Sequence, residues 1–279
     1  MPVLLNYIDL LAAYFVGTEA YCTGDPTIYS DIVFVSTPIS QSDLDGQQLY
    51  DYKVQQITAF SVSAKTEIIN GFESNALGSP HGYDSAAEDQ LNLIGAVASS
   101  STMNYSTRPE TQGTQLVDIG GTTIGTDLTG FLNNATMYNA EVKIDGISEY
   151  LSVAGQDAQT IDQLIALLNI DFGVNATVLL SGGNILITSS SYGSTSTVNI
   201  IDANLFNQIT GYVSVQSTVA GVDWTSVVMK EYKTHTNAQL LQVLNDGKDV
   251  KLNILQKFNV KKAQVLAAVD TTAVDAIVW

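Results

Sequence analysis

The chain has 279 residues, 45% of them apolar and only 14% charged, enough apolar material for a packed core and too much for intrinsic disorder. Its 28 acids against 11 bases set a net charge of −17, which repels phosphate and excludes nucleic acid as an expected partner. The single cysteine, Cys22, rules out an intrachain disulfide or a cysteine metal cluster.

No run approaches the roughly 20 apolar residues needed to span a bilayer, and the apolar start at Met1–Leu5 lacks a basic flank. The expectation is a protein made in a cytoplasm, with no membrane insertion. The charge is uneven. Residues 1–108 and 109–222 are acidic, whereas residues 223–279 hold seven of the eleven bases, read as the solvated face of a long helix.

In chain order, residues 1–36 read as a β/attachment segment, with a turn at Gly24-Asp25-Pro26 and a strand at Ile32–Val35. Ser40 and Asp43 then cap a helix whose stripe is Leu44, Tyr52, Ile57, Ile68 and Ile69, running to about Phe72. Gly46 and the β-branched cluster at 57–62 are candidate breaks. Residues 73–84, with Gly78, Pro80 and Gly82, read as a loop. Ser85 and Glu88 form a capping box for a helix burying Leu91, Ile94 and Val97. Residues 37–108 and 223–279 thus form a helical framework.

Residues 109–130, with Gly120, Gly121 and Gly125, read as a linker. Residues 131–217 change character. Ala140–Ile144 alternates like a half-buried strand, Asp145-Gly146 signals a hairpin, and Tyr150–Val153 returns. Thr160 and Gln163 box a helix with Ile161, Leu164, Ile165 and Leu168 inside. Strands at 176–180, 185–188 and 197–201 follow, the first two joined by Gly182-Gly183, with a helical turn at 204–209. The predicted order is ββαβββ, and the fold class is α+β: a helical framework with this module inserted. Thr236 and Gln239 box the closing helix, carrying Leu240, Leu241, Leu244, Leu252, Leu255, Val265 and Leu266, with Gly247 and Val260 as candidate breaks. Asp270 caps a last short helix.

The chemistry-bearing patterns of enzymes are missing. His81 and His235 are isolated in sequence, no G-x-S-x-G elbow occurs, and Gly120-Gly121-x-x-x-Gly125 lacks the Lys-Ser/Thr of a phosphate loop. Asp43-x-Asp45 sits at a helix start, where acids favour the dipole. Asn-x-Ser/Thr triplets at Asn104, Asn134 and Asn175 arise by chance in an Asn- and Thr-rich chain. No catalytic, cofactor-binding or metal-ligating residue is assigned, and the expectation is a protein that is not an enzyme.

Two stretches carry a resemblance. In the first, Gly71-Phe72 leads through Leu77-Gly78 to Tyr83, then to Asp89-Gln90-Leu91-Asn92-Leu93. In the second come His235-Thr236, Asp246-Gly247-Lys248 and Ala276-Ile277-Val278-Trp279. These resemble a little-characterised group of proteins encoded among phage tail genes, near the tail fibre and baseplate. The intervening insert, at Leu168–Val178 and Gly183–Ser189, looks like the small hook IN module of flagellar hook, flagellin and phage structural proteins. Neither family brings catalytic residues.

The resemblance implies a structural component of a bacteriophage virion, a tail fibre, baseplate or fibre-adaptor protein. Its partners would be other tail and baseplate proteins and copies of itself, a trimer among the allowed forms. The alternatives are recognition of a host-surface glycan through residues 131–217, whose aromatics include Phe131, Tyr138 and Tyr150, or a fibre-assembly chaperone.

Overall fold

The computed structural model describes residues 3–15, 17–35, 37–123, 125–128, 136–209 and 211–279. Phe131, Asn134 and the expected start of the inserted module lie outside the described residues. The chain divides into two compact units, one of residues 1–72, 84–92 and 245–279, the other of residues 73–83 and 93–244. The architecture is α+β, with helices and several small antiparallel sheets. None of the described helices is long and apolar enough to cross a membrane.

The first unit is mainly helical. The segment expected as β structure opens instead with α1 (Tyr7–Tyr14), because Asn6 caps it by accepting the Asp9 amide at 2.9 Å. The hairpin β1 (Ala20–Cys22) and β2 (Ile32–Phe34) follows and pairs antiparallel. Tyr7, Leu10, Leu11, Ile32 and Leu44 bury one small core among these elements. Ser40 caps α2 (Gln41–Ile69) as expected, but the helix is continuous over 29 residues. Neither Gly46 nor the 57–62 cluster interrupts it, since one weak position cannot outweigh propagation from both sides.

α5 (Asn237–Ala267) is likewise unbroken at Gly247 and Val260. A Cβ on Gly247 would lie 2.7 Å from the Phe72 ring, so the glycine is there for close packing. α6 (Thr271–Asp275) starts at Asp270, whose carboxylate accepts the Ala273 amide at 2.7 Å. Tyr52, Phe60, Val265 and Val274 form a second core between α2, α5 and α6. Trp279 closes it, its ring centroid 5.9 Å from that of Phe60.

Among the described residues, the second unit holds three sheets. The first has the order β13-β5-β4-β3, from β3 (Phe72–Ser74), β4 (His81–Tyr83), β5 (Met103–Pro109) and β13 (Glu231–His235). Residues 73–84 are therefore not a plain loop, and the stretch read as helical framework contains this sheet. Gly82 belongs in β4 because the Trp224 ring lies against its backbone, where a Cβ would come within 2.0 Å. α3 (Ala87–Ala98) buries Leu93 and Ala96, while Leu91 and Ile94 face out. Two of the three residues expected inside are thus on the outer side, while Val97 is half-buried beside Leu93 and Ala96. Ser85 makes no capping box either: its hydroxyl donates to the Ile68 carbonyl.

The second sheet, β12-β6-β10-β9, joins β6 (Thr114–Asp118), β9 (Ala176–Ser181), β10 (Asn184–Ser189) and β12 (Ser214–Val215). The stretch expected as linker thus supplies β6, paired along β10 from Thr114↔Thr188 to Val117↔Ile185, with Val117 and Ile119 fully buried. The third sheet, β11-β7-β8, joins β7 (Met137–Ile144), β8 (Ile147–Ala154) and β11 (Val198–Asp202). The β7–β8 turn places Asp145 at φ 50° and Gly146 at φ 87°, the conformation that an Asp-Gly pair adopts most readily.

α4 (Ile161–Phe172) carries the expected capping box: Gln163 Oε1 accepts the Thr160 amide at 3.1 Å, and Thr160 Oγ1 accepts the Gln163 amide at 3.4 Å. Ile161, Leu164, Leu168 and Phe172 enter one core with inward residues of the second and third sheets. The ββαβββ order of this region is observed. Asp145 ties its two sheets together. Its carboxylate accepts the Thr197 amide at 2.8 Å and the Ser189 hydroxyl at 2.9 Å.

Candidate interaction surfaces

Both histidines are buried in the second unit. His235 is wholly enclosed at the end of β13, where Nδ1 meets the Lys233 carbonyl at 2.8 Å and Nε2 the Tyr83 hydroxyl at 2.8 Å. A carbonyl only accepts, so Nδ1 carries the proton and Nε2 accepts from Tyr83. The Tyr83 and Tyr105 rings pack edge-on to the imidazole. Burial pushes the His235 pKa down, and the nearby His81 adds to the effect against the Lys233 hydrogen bond. His81 Nδ1 lies 2.9 Å from the Ser79 carbonyl, and its Nε2 lies 3.8 Å from Glu231 Oε1. Two histidines isolated in sequence are thus brought near enough to act on one another's charge, a convergence that only strand pairing reveals.

The carboxylates at the start of α2 are also committed locally. Asp43 accepts the Ser40 hydroxyl at 2.5 Å, and Asp45 accepts the Tyr7 phenol at 2.5 Å. Burial, then the Asp45 hydrogen bond, raises the Tyr7 pKa.

The first unit leaves an apolar stripe open. On the part of α5 that belongs to this unit the buried residues are Ile254 and Val265, eleven apart, with Phe258 and Ala268 half-buried against the core. A second stripe runs about 120° round the same helix: Lys248, Leu252, Leu255, Asn259, Lys262 and Leu266, each three or four residues from the last. Its three leucines remain 52%, 41% and 54% exposed. The expected single face of α5 is thus two faces. Leu240 and Val265 are inward, while Leu241, Leu252, Leu255 and Leu266 are outward. Periodicity alone merges them, because residues one position apart differ by only 100°.

The second unit presents a different surface on the outer face of β11-β7-β8. Cross-strand pairs there are Asn139↔Ser152 and Glu141↔Tyr150, with Asp202 opposite Glu141 on the far side. A register shift between Ile200 and Asp202 brings Asp202 to this position. These residues line a shallow dish of about 260 Å³. Tyr150 stands on its rim, 76% exposed.

No family model matches the chain, and no curated protein matches it. Among solved structures, the flagellar cap protein FliD from Bdellovibrio bacteriovorus is similar at a TM-score of 0.33 and 9% identity, over 49% of this chain and 77% of that one. The D1-D2-D3 domains of FliD from Escherichia coli give 0.24 and 10%, over 76% of this chain and 74% of that one. At these scores neither likeness bears on function.

Proposed function

We propose that the chain is a non-catalytic structural component of a bacteriophage virion, in the tail fibre or baseplate region, that works by contacts with copies of itself and with neighbouring tail proteins. The observation that carries the assembling role is the second α5 stripe. Burying a leucine side chain is worth about 1.5–3 kcal/mol, and a helix that has already filled its core face keeps three more half-exposed along one line. The stripe is punctuated by Lys248, Asn259 and Lys262. Polar residues within an apolar seam select one register and one partner at some cost in stability.

The narrower assignment to a phage tail rests on the resemblance of the two helical ends. The motif residues have structural duties consistent with a shared scaffold. Phe72 and Gly247 pack together, His235 pairs with Tyr83, and Trp279 closes the helical core.

Two measurements test this. Light scattering of the purified protein should show an oligomer, and Leu252→Asp with Leu255→Asp should convert it to a monomer of unchanged helix content. Mass spectrometry of purified virions should find the chain in the particle. A wild-type monomer absent from virions sinks the proposal, and an oligomer absent from virions favours an assembly chaperone.

A further inference from the structure

We infer that the outer face of β11-β7-β8 is a saccharide-binding site that prefers an amino sugar. The geometry carries the argument. Tyr150 stands exposed in the middle of an antiparallel strand, where an outward aromatic ring gains nothing from the core beneath it. Its ring faces a dish whose other outward groups are an amide, a hydroxyl and two carboxylates: Asn139, Ser152, Glu141 and Asp202. A flat aromatic surface beside a few convergent polar groups suits a pyranose, whose C–H face is apolar and whose rim is all hydroxyls.

Charge narrows the ligand. Glu141 and Asp202 occupy paired positions on adjacent strands, an arrangement that places like charges together and destabilises a sheet. Each spends one oxygen internally. Glu141 Oε1 accepts the Ser148 hydroxyl at 2.8 Å, and Asp202 Oδ1 accepts the Asn204 amide at 2.9 Å. The second oxygen of each makes no hydrogen bond or ion pair among the described residues. The same holds for the side chains of Asn139, Tyr150 and Ser152. Lys143, outward two residues along β7, makes no ion pair with either carboxylate among the described residues. A cationic ammonium on the sugar therefore relieves the repulsion and satisfies both oxygens, while a uronate adds a third carboxylate.

The inference does not depend on the assembly role, and its test does not use virions. Saturation-transfer NMR on the full chain, with the methyl glycosides of glucosamine, glucose and glucuronic acid, should show the glucosaminide binding about two- to fivefold better than the glucoside, the range of an exposed ion pair. The glucuronide should give no signal. Tyr150→Ala should abolish binding and Tyr150→Trp should keep it, which separates a lost platform from a lost fold. Glu141→Gln with Asp202→Asn should bring glucosaminide and glucoside to equal affinity. Equal binding of the glucuronide, unchanged binding by Tyr150→Ala, or silence from all three sugars overturns the inference.

Discussion

Asn169 on α4 pairs with the backbone of Val178 on β9 as a strand would: Oδ1 accepts the Val178 amide at 2.8 Å, and Nδ2 donates to the Val178 carbonyl at 2.8 Å. The same Nδ2 also donates to the Ile165 carbonyl, one turn back on the helix. One side chain thereby closes the helix against an edge strand whose only ladder partner among the described residues is β10. Asn169→Ala should cost about 2–3 kcal/mol, because it leaves a backbone amide and carbonyl unpaired in a half-buried place. Asn169→Asp should cost as much, since a carboxylate oxygen would then face the Val178 carbonyl. Urea unfolding with unchanged m-values checks both.

His235 makes stability depend on pH with a definite sign. Burial depresses its pKa in the folded chain below the ordinary histidine value, so the unfolded chain binds a proton that the folded one refuses. Stability is therefore full above about pH 6.5 and declines as pH falls below it toward the folded value. Tm should drop between pH 7 and 5 by about 2–4 °C for each kcal/mol lost. His235→Gln should show a flatter profile over the same interval. Parallel profiles would place the pH sensitivity elsewhere.

Identical substitutions at two helical glycines should act in opposite directions. Gly95 in α3 has open space where a Cβ would go, so Gly95→Ala should stabilise by about 0.5–1 kcal/mol through helix propensity. Gly247→Ala in α5 would press a methyl into the Phe72 ring and should destabilise by about 1–3 kcal/mol. Adding Phe72→Leu should recover part of that loss. Differential scanning calorimetry of the three variants decides it.

Trp279 is held three ways: its indole N–H donates to Glu67 Oε2 at 2.9 Å, Lys257 Nζ stands 4.3 Å from the ring centroid, and Phe60 packs beside it. Trp279→Ala should lose about 3 kcal/mol. Lys257→Met, which keeps the aliphatic stem, should lose under about 1 kcal/mol, because its ion pair with Glu67 is solvent-exposed. A larger loss from Lys257→Met than from Trp279→Ala would show that charge, not packing, anchors the C-terminus.

Local physics by itself determined the parts of this fold whose signals act within a few residues. Thr160 with Gln163 and Thr236 with Gln239 cap helices where their spacing says they should, and Asp145-Gly146 and Gly182-Gly183 turn hairpins. These need only an orphan amide or a positive φ, both legible from neighbours in the chain.

Tertiary structure decided the rest. β6 reads as linker because its residues find their partners on β10, some seventy positions away. Leu91 and Leu93 lie on the same short helix, and only the surrounding elements settle that Leu93 goes inside. The two faces of α5 and the meeting of Tyr150, Glu141 and Asp202 are likewise invisible in periodicity. Burial and strand register are properties of what lies opposite a residue, and the linear pattern does not contain that.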